Sequence, residues 1–270
     1  MIDSQGNVTE RSLEVGNQQE VITKPSSLPP GRKIAILVAN MSYSQNGIPN
    51  LETPGRDVEL VSRTLQAKFG FETRIVTNGT KQQITDILRT LTTETGDQDQ
   101  VVLYYAGHGY LNEATGIGYW LPTDATTNSA KNWISTNDVS RLLNRIPAKN
   151  ILLIADSCYS GSFTKEQKVQ AGGTVANDDL LDQRGVMAMS SGGDEPVLDG
   201  EVNSPFARSL AKRLREVNSP MVGEKLFKMV QDDVVAETPQ TPQYGAIVSA
   251  GYDTGADFFL RPKTQRVSQR

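Results

Sequence analysis

The chain has 270 residues, of which 27 are Lys or Arg and 31 are Asp or Glu, and its net charge is -4. This length can bury the core of one α/β domain, and the slight negative charge gives no general attraction to nucleic acid or to anionic membranes. The first thirty residues contain neither a secretion signal nor an apolar stretch long enough to cross a bilayer. We therefore expect a cytoplasmic, monomeric protein that binds neither nucleic acid nor membrane.

The first elements alternate between a strand and a helix. Residues 1–31 are polar and end in a Pro-rich stretch, which is typical of a flexible arm. Residues 33–40, KIAILVAN, are a continuous apolar run and predict a strand that is buried on both faces. Residues 56–69 have apolar positions at helical spacing and predict a helix that Gly70 ends. A second strand is predicted over residues 71–77.

The alternation continues to the middle of the chain. Thr80 and Gln83 give the capping-box signal of a second helix. Residues 100–106 predict a third strand and residues 150–155 a fourth, because both are short apolar runs. Between them lies a predicted helix with one apolar face, formed by Val139, Leu142, Leu143 and Ile146. Such alternation predicts a parallel sheet.

The remaining third begins with residues 162–184, which have no sustained period and predict an exposed loop. The elements expected after it are a strand over 184–191, a helix with Ser204 as N-cap, a helix over 223–237 and a strand over 245–250. Residues 263–270 are a basic tail. The predicted fold class is therefore α/β, with a central, mostly parallel sheet of about six strands and helices on both faces, in one domain over residues 32–262.

Histidine and cysteine each occur once, as His108 and Cys158. A single cysteine excludes an intramolecular disulfide and fits a reducing compartment. Each residue directly follows a predicted strand, and reactive groups gather at the carboxyl ends of strands in open α/β sheets. Alone, such a cysteine is more often packing and such a histidine is more often solvated. Together they predict a thiolate nucleophile with an imidazole partner.

The two motifs, YYAGHG and DSCYSG, lie fifty positions apart. They resemble the histidine and cysteine motifs of caspase-like cysteine peptidases, peptidase family C14 of clan CD, and DSCYSG is similar to the motif of metacaspases and their bacterial relatives, the orthocaspases. The resemblance covers about residues 33–260. It implies a caspase-like fold, catalysis by Cys158 and His108, and an oxyanion hole that uses the backbone amides of Gly109 and Cys158.

The resemblance also implies cleavage after Arg or Lys. In metacaspase-like enzymes the basic side chain meets two aspartates, which correspond here to Asp57 and Asp156. Two carboxylates suit a guanidinium and repel an acidic side chain. An alternative for Asp57 is an acid that only stabilises a helix N-terminus. The resemblance further suggests substrate contacts from Ser190, Ser191 and Asp194.

The family's calcium site has two weak counterparts, Asp124 and Asp138. Lys165 stands near the place of another ligand, and an ammonium there opposes binding of a cation that needs about six oxygen ligands or more. We therefore expect that no cofactor is required, with Ca²⁺ as the open alternative.

Caspase-like chains are processed between a large and a small subunit. The corresponding parts here are residues 32–163, an exposed linker over 164–184, and residues 185–262. The linker contains Lys165, Lys168 and Arg184, at which the enzyme would cut itself.

Three alternatives stay open at this point. The domain could be a catalytically latent interaction scaffold, or a peptidase specific for Asp, although no arginine-lined pocket is evident and Arg56 and Arg208 have no assigned role. A nucleotide-binding or phosphoacceptor domain would need a phosphate-binding loop or carboxylate cluster, and residues 40–50 after the first strand match no such loop.

Overall fold

A computed structural model describes residues 31–43, 47–157, 167–168, 182–192 and 202–263. Several predicted features lie outside these residues: all but the last residue of the arm, Cys158, Lys165, Asp194, and all but the first residue of the basic tail. Among those described, the strands are β1 Lys33–Ala39, β2 Glu72–Thr77, β3 Gln100–Ala106, β4 Gly109–Asn112, β5 Ile117–Trp120, β6 Ile134–Ser135, β7 Asn150–Asp156, β8 Gln167–Lys168, β9 Gly185–Ser190, β10 Met221–Val222, β11 Gln243–Ala246 and β12 Phe259–Leu260. The α-helices are α1 Pro54–Phe69, α2 Lys81–Glu94, α3 Thr136–Asn144, α4 Pro205–Glu216 and α5 Gly223–Glu237.

The central sheet has the strand order β2-β1-β3-β7-β9-β11-β8. The five strands from β2 to β9 are mutually parallel, and β11 pairs antiparallel with β9. At the edge, β8 adds two residues antiparallel to β11. The predicted α/β class and the mostly parallel sheet of about six strands are confirmed.

Helices cover both faces of this sheet, as predicted. One face carries Leu37, Tyr104 and Ile154, which lie in one rung and share a buried cluster with apolar residues of α1, α4 and α5. The neighbouring residues in the strands point the other way and pack against α2 and α3, and they include Ile36 and Leu103. This alternation explains why the strands appear in the sequence as continuous apolar runs.

The predicted helix ends at Gly70, Thr80 and Ser204 are confirmed. Gly70 has a φ of 81° and caps α1 through bonds from its N–H to two carbonyls of the last turn. Thr80 and Gln83 form the complete capping box of α2. The Ser204 hydroxyl accepts a hydrogen bond from Ala207 N at 2.9 Å and so caps α4.

The prediction of a strand over residues 245–250 is partly wrong. β11 ends at Ala246, and Val248–Ala250 form a short 3₁₀ helix. The apolar run continues because Ile247 and Ala250 are buried under the sheet, and the Ile247 N–H still donates to Val186 O of β9 before the chain turns into the 3₁₀ helix. The small antiparallel sheet of β4, β5 and β6 was not predicted, because its strands are too short and mixed to give a pattern. No helix in the described ranges is long and apolar enough to span a membrane.

Candidate active site

The two predicted catalytic positions follow neighbouring strands in register. β3 and β7 pair in parallel up to the rung of Ala106 and Asp156. His108 comes two residues after Ala106, and position 158 comes two residues after Asp156. Since neighbouring strands lie about 4.8 Å apart, β3 and β7 end side by side at this rung. Cys158 itself is outside the described residues.

His108 is held from several sides in a half-buried turn. Its ring Nε2 lies 2.8 Å from the carbonyl oxygen of Pro49, and its ring meets that of Tyr43 edge to face at 4.9 Å. Its backbone N–H donates to the Tyr43 hydroxyl at 3.2 Å, and its carbonyl accepts from Tyr105 and Leu121. A carbonyl only accepts hydrogen bonds, so Nε2 must carry a proton, and Nδ1 is left as the basic nitrogen of the neutral ring.

The turn before His108 requires glycine at position 107. A Cβ on Gly107 would lie 2.9 Å from the hydroxyl oxygens of both Tyr105 and Tyr43. These are the two hydroxyls that fix the His108 backbone. Gly109, the predicted oxyanion donor, is half-buried and opens β4 opposite Trp120. The roles of Tyr43 and Pro49 were not predicted, because nothing in their local sequence pattern shows that they reach residue 108.

Asp57 and Asp156 lie together in the protein interior, only 1 % and 8 % exposed. Oδ1 of Asp57 accepts from Nδ2 of Asn203 at 2.8 Å and from the backbone N–H of Ser204 at 3.0 Å. Oδ2 of Asp156 accepts from the Tyr104 hydroxyl at 2.9 Å and from the Ser204 hydroxyl at 2.5 Å. The structure therefore joins the first turn of α1, the end of β7 and the start of α4 around two carboxyl groups.

This arrangement changes the acidity of the groups. Burial, and then the nearby charge of Asp156, raise the pKa of Asp57 to about 7, while bonds from Asn203 and Ser204 act in the opposite direction. Burial and both carboxylates also raise the pKa of Tyr104, which stays a neutral hydrogen-bond donor. Two buried like charges repel each other, so the pair favours either a bound proton or a bound cation near neutral pH.

The predicted substrate-contacting serines lie at the end of β9. The Ser190 hydroxyl donates to Gly192 O at 2.8 Å, and Ser191 N donates to Ala155 O at 3.0 Å. The hydroxyls of Ser191 and of Ser157, next to the nucleophile position, are buried and have no hydrogen-bond partner in the described part of the chain. These two polar groups lie buried where β7 and β9 end.

The two calcium candidates, Asp124 and Asp138, are bonded near the starts of α2 and α3. Asp124 Oδ1 accepts from the backbone N–H of Lys81 at 2.8 Å. Asp138 accepts from the Ser135 hydroxyl at 2.7 Å and forms an ion pair with Arg141. Within the described ranges no group of three or more His, Cys, Asp and Glu side chains is arranged to hold a metal ion. Whether the protein needs calcium stays a prediction.

Of the predicted processing residues, Arg184 has a structural role. Its guanidinium donates to the carbonyls of Leu143, Ile146, Ala148 and Ala250 at 2.7 to 3.3 Å. It thereby ties the end of α3 to the 3₁₀ helix after β11. The backbone of Lys168 lies in β8, and Lys165 is outside the described residues.

Comparisons with known proteins agree with this architecture. Residues 32–250 match the caspase domain family of peptidases, Peptidase_C14. A crystal structure of a Geobacter sulfurreducens protein aligns with a TM-score of 0.57 at 17 % identity, covering 80 % of this chain and 92 % of that one. Caspase-1 from Spodoptera frugiperda aligns with a TM-score of 0.58 at 12 % identity, covering 81 % and 86 %.

A search of curated proteins gave no match. At such low identities the two structures establish the fold alone, whereas the family match spans most of the chain. The chain belongs to the caspase domain family of peptidases.

Proposed function

We propose that the protein is a cysteine endopeptidase that cleaves after Arg or Lys, with Cys158 as nucleophile and His108 as its partner. The observation that carries the proposal is the register of β3 and β7: Ala106 pairs with Asp156, and the only histidine and the only cysteine of the sequence each follow two residues after this pair. The contact between Nε2 of His108 and Pro49 O supports it, since it leaves Nδ1 for proton transfer.

The reaction would run in two steps. The Cys158 thiolate attacks the carbonyl carbon of the scissile bond, and the amine leaves with a proton from the His108 imidazolium. Water then attacks the thioester, His108 takes a proton from it, and the thiol ester bond breaks to release the carboxylic acid. Gly109 N–H and Cys158 N–H are the proposed donors to the oxyanion.

The buried pair Asp57 and Asp156 supports a basic residue before the scissile bond. A guanidinium or ammonium would attract two adjacent carboxylates, whereas an aspartate would add a third negative charge. The alternative specificity for Asp has no support from the two arginines considered for it. Arg208 forms an ion pair with Glu237, and Arg56 donates to Val202 O.

Self-cleavage is proposed at Lys165 or Lys168 rather than at Arg184. Cleavage after Arg184 would require its guanidinium to leave four carbonyls before it could enter a substrate cleft. Lys168 lies in the two-residue edge strand β8, whose described pairing is with β11. An active protein that remains one intact band after prolonged incubation would contradict this part of the proposal.

The experiment uses fluorogenic peptides that end in Arg, Lys or Asp, incubated with the wild type and with Cys158→Ala and His108→Ala, each with calcium and with chelator. We expect hydrolysis after Arg and Lys, lost in both variants and equal in the two buffers. Hydrolysis after Asp alone would overturn the proposed specificity. No hydrolysis, together with no labelling of Cys158 by an arginyl chloromethylketone, would favour the interaction scaffold.

A further inference from the structure

The hydroxyl of Ser204 touches both the proposed substrate pocket and the helix behind it. It donates to Asp156 Oδ2 at 2.5 Å and accepts from Ala207 N at 2.9 Å. The backbone N–H of the same residue donates to Asp57 Oδ1 at 3.0 Å. Ser204 is 5 % exposed, so water has little access to replace these bonds.

We propose that Ser204 is a positioning residue, which sets the separation and orientation of Asp57 and Asp156 and thereby the affinity for the basic side chain of the substrate. The proposal rests on the proposed function, because it assigns a role to Ser204 in the same pocket. Ser204 would act through the two carboxylates and would not touch the reacting atoms.

Ser204 has one hydroxyl proton, so its side chain can donate only one hydrogen bond. Because the oxygen accepts from Ala207 N, its proton is free to point at Asp156. Asn203 contacts only Asp57 among the pair, and Tyr104 contacts only Asp156. Among the described hydrogen bonds, those of Ser204 are the ones that join the two carboxyl groups.

The start of α4 gives this link a rigid base. Phe206 and Leu210 of α4 are fully buried and share the core cluster with Val58 and Val61 of α1, the helix that carries Asp57. Movement of Ser204 against Asp57 would therefore require the two packed helices to separate. A substrate cation would meet two carboxylates whose spacing is already set, which reduces the cost of ordering them on binding.

The test compares Ser204→Ala, Ser204→Gly and Ser204→Thr. Alanine and glycine both remove the hydroxyl, but glycine at an N-cap costs the helix only a few tenths of a kcal/mol, so it separates the pocket effect from the loss of the cap. Ser135→Ala is the matched control, because Ser135 caps α3 in the same way and has no described contact with Asp57 or Asp156.

For a peptide ending in Arg, we expect a rise in KM of about tenfold in both the Ala and Gly variants with little change in kcat, since a hydrogen bond to a charged group is lost. The value of kcat/KM should rise with pH as the carboxyl pair loses its proton. In the Ala and Gly variants this rise should occur at higher pH, because without the hydroxyl donor the pair holds its proton more tightly. Ser204→Thr should restore both parameters, and Ser135→Ala should leave them unchanged.

Carboxyl signals in ¹³C NMR spectra give a readout that does not need activity. The proton shared by the pair Asp57 and Asp156 should be lost at higher pH in the Ala and Gly variants than in the wild type, because Asp156 loses a donor. An active wild type whose KM, pH profile and carboxyl-pair titration all survive removal of the hydroxyl would overturn the role of Ser204 and leave the peptidase proposal intact. An inactive, unlabelled wild type would overturn the peptidase proposal, and with it the role of Ser204 in substrate affinity.

Discussion

Replacing Asp57 by Asn should make the protein more stable at alkaline pH. The pKa of Asp57 is raised from 3.8 to about 7 by burial and by Asp156. The folded state therefore binds the proton more tightly than the unfolded state, and this group contributes stability at low pH that is lost as the pH rises from about 4 through 7. The Asn side chain removes the charge and keeps an acceptor oxygen for Asn203 and Ser204.

The size of the effect follows from the same pKa. At about 1.4 kcal/mol per pKa unit, the rise corresponds to a ceiling of about 4 kcal/mol for the ionised group. Part of this gain in stability is offset in Asp57→Asn, because the hydrogen bonds from Asn203 and Ser204 are weaker to a neutral acceptor than to a carboxylate. We therefore expect Asp57→Asn to raise the free energy of unfolding by about 2 kcal/mol at pH 8.5 and to give no gain at pH 4.5.

Urea unfolding at several pH values between 4.5 and 8.5 measures this difference. Asp86→Asn is the control, since Asp86 is an exposed acid of α2 that is 54 % accessible and pairs with Arg89. The same chemical change at Asp86 should shift stability by less than about 0.5 kcal/mol at every pH. If Asp57→Asn were no more stable than the wild type at pH 8.5, or if its advantage did not change with pH, the assignment of a buried, repelled carboxylate would be wrong.

Three further predictions concern other parts of the molecule. Arg184→Met should lower the free energy of unfolding by about 3 kcal/mol in urea titrations, because four carbonyls lose their donor; a loss no larger than that of the exposed Arg141→Met would refute this. Gly107→Ala should lower kcat/KM about a hundredfold, since its Cβ would displace the two tyrosine hydroxyls that hold His108, and activity close to the wild type would contradict that packing. Calcium titration by calorimetry should give no binding heat. Micromolar binding by the wild type that is lost in Asp138→Ala would contradict this, and would show that calcium displaces Arg141 from Asp138.

The sheet and the helix ends could be predicted because their signals are local. A strand buried on both faces is apolar along its interior, as β1, β3 and β7 are apart from polar residues at their ends. Gly70 and Thr80 end and begin helices through bonds to residues at most five positions away. Such signals lie within a few positions of each other and need no knowledge of the tertiary structure.

The supports of the site could not be predicted because they join distant parts of the chain. Pro49 reaches His108 across 59 positions, and Ser204 reaches Asp57 across 147. The sequence identified Ser204 correctly as an N-cap, and that role alone accounts for a serine before Pro205. Its contacts with Asp57 of α1 and Asp156 of β7 become visible only when the start of α4 is placed beside both elements.

The pair Asp57 and Asp156 would favour a basic substrate side chain but lowers the stability of the folded protein. Two buried carboxylates oppose folding near neutral pH, and apolar residues of similar volume would avoid this cost. The donors around them, Tyr104, Asn203 and Ser204, reduce the cost without supplying a positive charge. A basic substrate side chain would supply that charge, so part of its binding energy would come from relieving a repulsion that the fold already contains. On this reasoning, the same feature that weakens the free protein at alkaline pH is the one that favours Arg or Lys over a neutral side chain.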